Sequence, residues 1–545
     1  MERGNTPYPE SMMGSIERLE ATRQKRIEQQ IPRLSLAERE VFLKKYHPDY
    51  RVGVKREIQV GINRGVSIPN ELADLFEGES MVDVDHFDLS NPKYDADVLV
   101  VGGGGGGATA SIFARKKGAK VILATKLRIG DSNTIMAEGG IQAATSEYDS
   151  PALHYLDTMG GGGFHNHPDL VRVLAHDAPL ILDWLTQLGV MFDRRPDGEY
   201  LTSFAGGQCR RRVHSAADYS GLEMMRVLRD ELISKEIDIL EFTAAIELVL
   251  DESGCCAGAI FLNLDTREQF LVKAKTVILA TGGIGRIHIQ NFPTTNHYGA
   301  TADGLVIANR AGAKVVFLDA TQFHPTGTAY PEQILGLLVS EAFRGWSAQL
   351  VNVEGERFIN ELETRDITSS AVIREVTERK RGIETPTGMV GVWLDTPLVD
   401  IVKGDGTINR IFPHLFHRFK SFGIAITQFP VLVYPTQHYQ NGGIQIDING
   451  ESTVGNLFVA GEASGGVHGR NRLGGNSLLD IFVFGRRAGV TAALRSREIN
   501  PGRLTLQHVR EYHDALKGLG IGKKLKAPLI LPDYRFERAL TRVHQ

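Results

Sequence analysis

VLVVGGGGGGATAS, residues 98–111, holds six consecutive glycines. Glycine-rich runs usually serve as flexible linkers, since glycine has the most backbone freedom to lose and no side chain to pack. The flanking residues point elsewhere. Asp95–Val101 reads as a strand with a buried apolar run, Ala108–Gly118 as a small-residue helix, and Ala119–Ala124 as a second strand. Strand, GxGxxG turn and helix inside one βαβ unit form the cradle of a dinucleotide pyrophosphate. In that reading Gly102 makes the tight turn, Gly104 lets backbone approach the anion, and Gly107 lets helix and strand pack closely, with the helix N-terminus facing the phosphates. Gly103, Gly105 and Gly106 are not demanded by the pattern. The acidic residue expected about 20 positions further on to hold a ribose is absent. Thr125-Lys126 stands there instead.

The rest of the chain narrows the class. Its 545 residues suit about two to four domains. A formal net charge of −4 gives no reason to expect a nucleic acid or an anionic membrane as partner. No apolar run reaches the ~18–20 residues that span a bilayer. The start, MERGNTPYPESMMG, has neither an apolar core nor a twin-arginine pair, so a cytoplasmic location without direct membrane insertion is expected. Cys209, Cys255 and Cys256 form no CxxC pair. No metal site is expected, and any iron–sulfur cluster would sit on another subunit.

Residues 1–90 read as a helical, polar N-terminal extension that packs on the main body or on a partner. Ser35 and Glu38 in SLAERE spell a capping box. Pro32 and Pro48 break the segment, and Pro69 fits the first turn of another short helix. From about Tyr94 apolar strands alternate with helices and glycine turns, the texture of an α/β domain around a parallel sheet. VKAKTVILATGG (272–283) and GNLFVAGEASGG (455–466) are further buried strands running into glycine turns. A sheet that collects such distant strands must be interrupted, and the pattern loosens between about 319 and 433. The expected division is 1–90, 91–318, an insertion at 319–433, 434–500, and a short helical segment at 501–545.

A set of motifs in order along the chain makes the reading specific. TKLRIGDSNTIMAEGGIQAA (125–144) is followed by FHPTG (323–327), SEAFRG (340–345), GERF (355–358), RD (365–366), HYQNGGI (438–444) and VHGRNRLGGNSLLD (467–480). Over about residues 94–500 the sequence resembles the fumarate reductase and succinate dehydrogenase flavoproteins, a family that also includes L-aspartate oxidases. The resemblance implies a Rossmann-like FAD-binding domain with an inserted α+β capping domain, the active site lying between them. It also implies hydride exchange between flavin N5 and one carbon of a dicarboxylate, with a proton moving at the neighbouring carbon.

By the same resemblance, His324, His438 and Arg472 bind substrate carboxylates, and Ser340 stands where the family has a substrate-touching threonine. An arginine fork suits bidentate pairing with a carboxylate. Arg365 matches the proton-transferring arginine, with Glu341 and Arg344 as its relay. Three residues apart, that pair shares a face if the stretch is helical. On the cofactor side Thr125, Lys126, Ser132, Asn133, Thr134, Gly139 and Gly140 belong to the first flavin segment. Thr281 and Gly282 form a second glycine turn near the adenosine, Asp303 and Glu462 match acidic flavin-binding positions, and Ser477 and Leu478 match the turn that meets the flavin. His154, His165, His167, His288, His297 and His468 are expected to be structural or solvated.

The departures are informative. The family's covalent tether is a histidine in R-S-H-T, but here the match is Asp131-Ser132-Asn133-Thr134. Asparagine has no imidazole nitrogen, so non-covalent FAD is expected. Loss of the tether lowers flavin potential in this family and so favours alkene reduction, or a low-potential partner, over succinate oxidation. Glu138 replaces a family glutamine. In TSFAGGQ (202–208) Ala205 occupies the place of the aspartate oxidases' ammonium-binding glutamate, and Phe204 lies one residue before the dehydrogenases' phenylalanine. This disfavours L-aspartate and leaves room for a substituted succinate. The helical domain that helps dock the iron–sulfur subunit is expected to be mostly missing. The leading expectation is a fumarate reductase or succinate dehydrogenase-like flavoprotein subunit. Its implied electron partner is an iron–sulfur subunit, within a larger redox complex that would hold it at the membrane periphery. The alternatives are L-aspartate oxidase and a flavin-bearing electron-transfer subunit.

Overall fold

The computed structural model describes residues 6–521, 525–532 and 534. Its main sheet has eight strands. The strand Tyr94–Val101 lies between Val121–Ala124 and Gln269–Leu279, parallel to both. Asp238–Leu240 extends one edge and Leu457–Val459 pairs in parallel with the end of Gln269–Leu279. This distant strand from residue 457 joins the sheet where an interrupted domain requires it. An antiparallel run, Gln269–Leu279 to Cys256–Asn263 to Thr243–Asp251, completes the other side. Val98–Val101 and Val121–Ala124 are almost fully buried, because helices cover both faces of a parallel sheet.

The six glycines resolve into a turn and the first turn of a helix. Gly102 has φ +117°, and the helix Gly105–Lys116 starts with Gly104 as its N-cap. A β-carbon on Gly107 would lie 1.8 Å from the Gly102 carbonyl oxygen, and one on Gly102 would lie 2.2 Å from that of Ala280. The crowding extends beyond the motif. A methyl at Gly103 would meet Thr125 Oγ1 at 2.8 Å, and one at Gly105 would meet Ile481 Cδ1 at 2.5 Å. Tertiary packing therefore demands two glycines that the dinucleotide pattern leaves free. The long helix Asn476–Arg495 crosses this helix at Gly485 and Gly489, where β-carbons would strike the carbonyls of Gly106 and Ala110.

The second body is a five-stranded antiparallel sheet built from residues 321–440. Thr321–Thr328 pairs with Val431–Gln440, and Val390–Asp395 and Gln349–Val351 follow outward. The helix Arg365–Thr377 packs against this sheet. Its core, around Phe343, Trp393, Phe412 and Phe419, is separate from that of the main sheet.

The N-terminal extension packs on this second body. Helix Glu10–Glu28 buries Met12, Ile16 and Leu19, one face at i, i+4, i+7 spacing. Each contributes about 1.5–3 kcal/mol by leaving water. Arg26 of the same helix is buried against Asp395, with Arg23 on the same carboxylate. The Ser35–Glu38 capping box is formed and opens the helix Leu36–Tyr46. The extension, expected to be helical, also carries strands: Lys55–Glu57 and Ser67–Pro69 pair as a small antiparallel ladder. Pro69 sits at the N-cap of the helix Asn70–Phe76 rather than inside its first turn. In the C-terminal segment Gln507–Gly518 is helical, while Lys526–Ala527 pairs with Glu79–Ser80. The remainder of the expected helical segment, residues 522–524, 533 and 535–545, lies outside the described residues. Among the described residues no helix is long and apolar enough to cross a membrane, and no group of side chains is arranged to hold a metal ion.

Candidate functional site

A cavity of about 510 Å³ runs from the glycine turn along the main sheet to the seam with the second body. Gly102, Gly104, Thr125, Lys126, Ser132, Asn133, Thr134, Gly139, Gly140, Thr281, Gly282, Asp303, Glu462, Ser477 and Leu478 all line it. Gly107 does not; its part is the close contact with Gly102 beneath the cradle.

The lining fits a flavin dinucleotide. The glycine helix has no side-chain N-cap, so its first amides are left to an anion. The Gly105 amide is committed, donating to Thr134 Oγ1 at 3.1 Å. Among the described residues Thr281 Oγ1 is buried without a hydrogen-bond partner, and a buried hydroxyl ordinarily has one. Gly140 (φ +109°) lets its backbone pass within contact of the His214 carbonyl, where a β-carbon would sit 2.3 Å from that oxygen.

Lys126 and Asp303 face each other in the cavity lining, 2.8 Å apart, and Lys126 Nζ also donates to Thr301 and to the Ile530 carbonyl. Both carry their charge into the cavity as a neutralised pair. Nearby, across His297, Asn133 donates to Asn296 Oδ1 (2.7 Å) and Glu462 Oε2 (3.2 Å) and accepts from the His297 amide (2.7 Å). Burial raises the Glu462 carboxyl above its ordinary range. Of the histidines expected to be structural, His154 and His468 are buried on Asn476 and Asp480. His297 does line the cavity, which its position in sequence gives no means to foresee.

The cavity continues to Arg365, His438 and Arg472. These come from three elements: the first residue of the helix Arg365–Thr377, the strand Val431–Gln440, and the loop before the helix Asn476–Arg495. His324, on the neighbouring strand, places its ring 5.0 Å from that of His438. Its Nδ1 meets Thr326, while its Nε2 is buried with no partner among the described residues. His438 Nδ1 meets Thr295 Oγ1 at 2.7 Å. Burial, then the nearby Arg365 charge, pushes both imidazoles well below their ordinary pKa, so both are neutral at pH 7. Burial and Arg365 also bring Arg472 down to about 9.

Glu341 holds the arginines together. Its Oε2 accepts from Arg365 Nε (2.8 Å) and Nη2 (2.6 Å), and Oε1 lies 3.4 Å from Arg344. Burial alone would raise this carboxyl, but Arg365 and Arg344 overcome it and hold it at about 2. Glu341 immediately precedes the short helix Ala342–Gly345, which brings it and Arg344 face to face as their spacing implied. Arg344 Nε has no partner among the described residues. Ser340, Glu341, Arg344 and His324 stand behind the cavity wall rather than on it. The Ser340 hydroxyl accepts from the Ala342 amide at 3.3 Å.

Sequence reading misses Gln322. Its Oε1 accepts from both Arg365 (3.2 Å) and Arg472 (3.0 Å), and its Nε2 donates to the Arg472 carbonyl. A signal existed: in a strand, Gln322 and His324 share a face. Tyr439, whose ring lies 4.3 Å from the Arg472 guanidinium, is also missed. Ala205 borders the site: a β-carbon on Gly474 would sit 3.1 Å from both Ala205 Cβ and Arg365 Nη2. Glu138 lines the cavity and pairs with Arg418 of the second body at 3.1 Å; burial pushes its carboxyl up to about 8.

An anion cradle joined to a buried cationic pocket suits a flavin-dependent oxidoreductase. Comparison with known proteins agrees. The FAD binding domain family matches residues 97–478. The flavoprotein's relative in Methanothermobacter marburgensis, one subunit of the fumarate reductase (CoM/CoB), is 40% identical over 73% of each chain. L-aspartate oxidase of Streptomyces coelicolor is 35% identical, covering 73% of this chain and 68% of that one. Among solved structures, E. coli quinol fumarate reductase FrdA superposes with a TM-score of 0.70 at 30% identity, over 78% of this chain and 74% of that one. The chain belongs to the FAD-binding family of fumarate reductase and succinate dehydrogenase flavoproteins. It is an FAD-dependent oxidoreductase acting on CH–CH groups.

Proposed function

We propose that this chain is the catalytic flavoprotein subunit of a fumarate reductase-type enzyme, converting fumarate or a substituted fumarate to the corresponding succinate. The observation that carries this reading is the excess of donors at one buried point. Arg365, Arg472, His324 and His438 converge there, and Glu341 is the carboxylate against them. A dicarboxylate supplies the missing negative charge, and burial makes each pairing stronger than in water.

FAD, when bound, supplies hydride exchange at its N5. Arg472 and His438, which line the cavity, hold and orient the carboxylates, with His324 packed behind His438. Arg365 delivers the proton to the neighbouring carbon, and Glu341, already hydrogen-bonded to it, returns one from Arg344. An arginine makes a competent acid here only because the developing carbanion is strongly basic and the relay replaces its proton at once. The FAD is held non-covalently, since Asn133 gives the flavin an amide and no imidazole. Electrons arrive from an iron–sulfur partner subunit; the Methanothermobacter relative is itself named as one subunit of a fumarate reductase.

An L-aspartate oxidase activity is the second reading, favoured by the Streptomyces relative and by untethered FAD. Ala205 opposes it, because no carboxylate stands there for an ammonium group. In the test, the flavin is reduced anaerobically with dithionite and offered fumarate, substituted fumarates and iminoaspartate. Rapid reoxidation by a fumarate is expected; reoxidation by iminoaspartate alone would favour the second reading, and silence toward all would refute both. Acid-precipitated protein is expected to lose its yellow colour to the supernatant.

A further inference from the structure

The buried carboxylate of Glu363, two residues before Arg365, is partnered by the N-terminal extension. Glu363 Oε1 accepts from the Leu34 amide and Oε2 from Arg39 Nη2, each at 2.6 Å. Its side chain is fully buried while Arg39 is 22% exposed. The extension thus reaches inward from the surface to the root of the helix that carries the proton donor.

The contact continues to the reacting groups. The Glu363 carbonyl packs on Gly206 so tightly that a β-carbon there would lie 2.4 Å from it and 2.8 Å from Glu341 Oε1. The Gly206 amide donates to that same Glu341 oxygen at 2.9 Å, and the Gly207 amide donates to the Leu362 carbonyl. Glu341 in turn holds Arg365. The extension also grips the strand that bears Gln322 and His324. Asp49 accepts from the Thr321 amide at 2.9 Å, and the His47 ring packs on Phe323. Helix Leu36–Tyr46 lies along the helix Arg365–Thr377, with Arg374 over the Phe42 ring and Tyr46 bonded to Glu378. Leu34, Arg39, Phe42, Tyr46, His47 and Asp49 all precede residues 97–478, the stretch matched by the FAD-binding family.

We propose that the extension is a positioning element for proton delivery, acting through the Arg39–Glu363 pair to hold Arg365 and Glu341 in register. This rests on the fumarate reductase reading above. Removing Arg39 leaves a buried carboxylate with a lost charge partner. Glu363 then shifts, and the loop 205–207 that its backbone wedges against Glu341 loses its stop. A misplacement of about 1 Å is enough to cost about 10²-fold where geometry controls transfer.

The test compares Arg39→Met and Arg39→Lys with wild type as full-length, FAD-loaded protein. Arg39→Met is expected to lower kcat for fumarate about 10-fold or more with KM within about twofold, as for an interaction felt in the transition state. Its solvent deuterium isotope effect should rise, while flavin content and the rate of flavin reduction by dithionite stay at wild-type values. Hydrogen exchange should quicken at residues 362–368 and at Gly206. Arg39→Lys should restore most of kcat. Unchanged kcat and isotope effect in an active enzyme would overturn the proposal, as would a loss that tracks flavin release. Wild-type protein that no dicarboxylate reoxidises would overturn the functional reading as well.

Discussion

The cofactor cradle and the proton-transfer site share one cavity but are built in opposite ways. The cradle is made largely of backbone and absent side chains: Gly102, Gly104 and Gly107 act by what they lack, and they lie within six positions of one another. The transfer site is made of long polar and charged side chains drawn from residues 322, 341, 365, 438 and 472. A cradle of this kind tolerates no added atom, whereas a site of this kind tolerates no lost partner. One fails by steric exclusion, the other by unbalanced charge.

Breaking each region in its own manner should separate the two. Arg365→Gln removes the proton donor and is expected to cut turnover by about 10³-fold, within the range seen for general acids, while flavin absorbance stays intact. Retained activity would refute the assignment of Arg365. Gly107→Ala should do the reverse. A methyl placed 1.8 Å from the Gly102 carbonyl forces helix and strand apart, so purified protein is expected to lose its flavin and to be less stable by about 1–3 kcal/mol or more. Flavin titration and thermal melting measure both effects.

Gln322→Leu sharpens the contrast inside the transfer site. It keeps the volume but leaves Arg365 and Arg472 without a shared acceptor, a change worth about 1–3 kcal/mol when the groups are buried. A fall in kcat/KM of roughly 10–100-fold with full flavin occupancy is expected. The smallest effect concerns the seam. The folded pKa of Glu138, about 8, lies above its ordinary value of 4.5. The folded state therefore binds this proton more tightly, and the associated stability is present below the unfolded pKa and lost as pH rises through about 8. Glu138→Gln should flatten that loss, so that its melting temperature gains on wild type by roughly 2–4 °C between pH 5 and pH 8.

The same contrast explains what is legible in the sequence. Short-range patterns read well: the strand–turn–helix around residue 102, the Ser35 capping box, the Glu341–Arg344 spacing. Each is settled by neighbours a few residues away, where dihedral preferences and helix periodicity dominate. Gln322 carries only a weak sequence signal, its place on the strand face of His324, and the meeting of two arginines from residues 365 and 472 is what marks it. The strands at 55–57 and 67–69 hide within a segment of helical texture, because three-residue ladders carry almost no periodic signal.

Sequence alone determined the βαβ cradle and the ordered set of histidine, arginine and glutamate motifs. Those properties reside in residue type and local spacing. Tertiary structure decided which of them touch. It showed that Gly103 and Gly105 are also pinned, that Lys126 and Asp303 neutralise each other, and that the Glu363 carboxylate is met by residues more than 300 positions away. The reason is physical: a buried charge must find its partner in space, and chain separation places no limit on where that partner comes from.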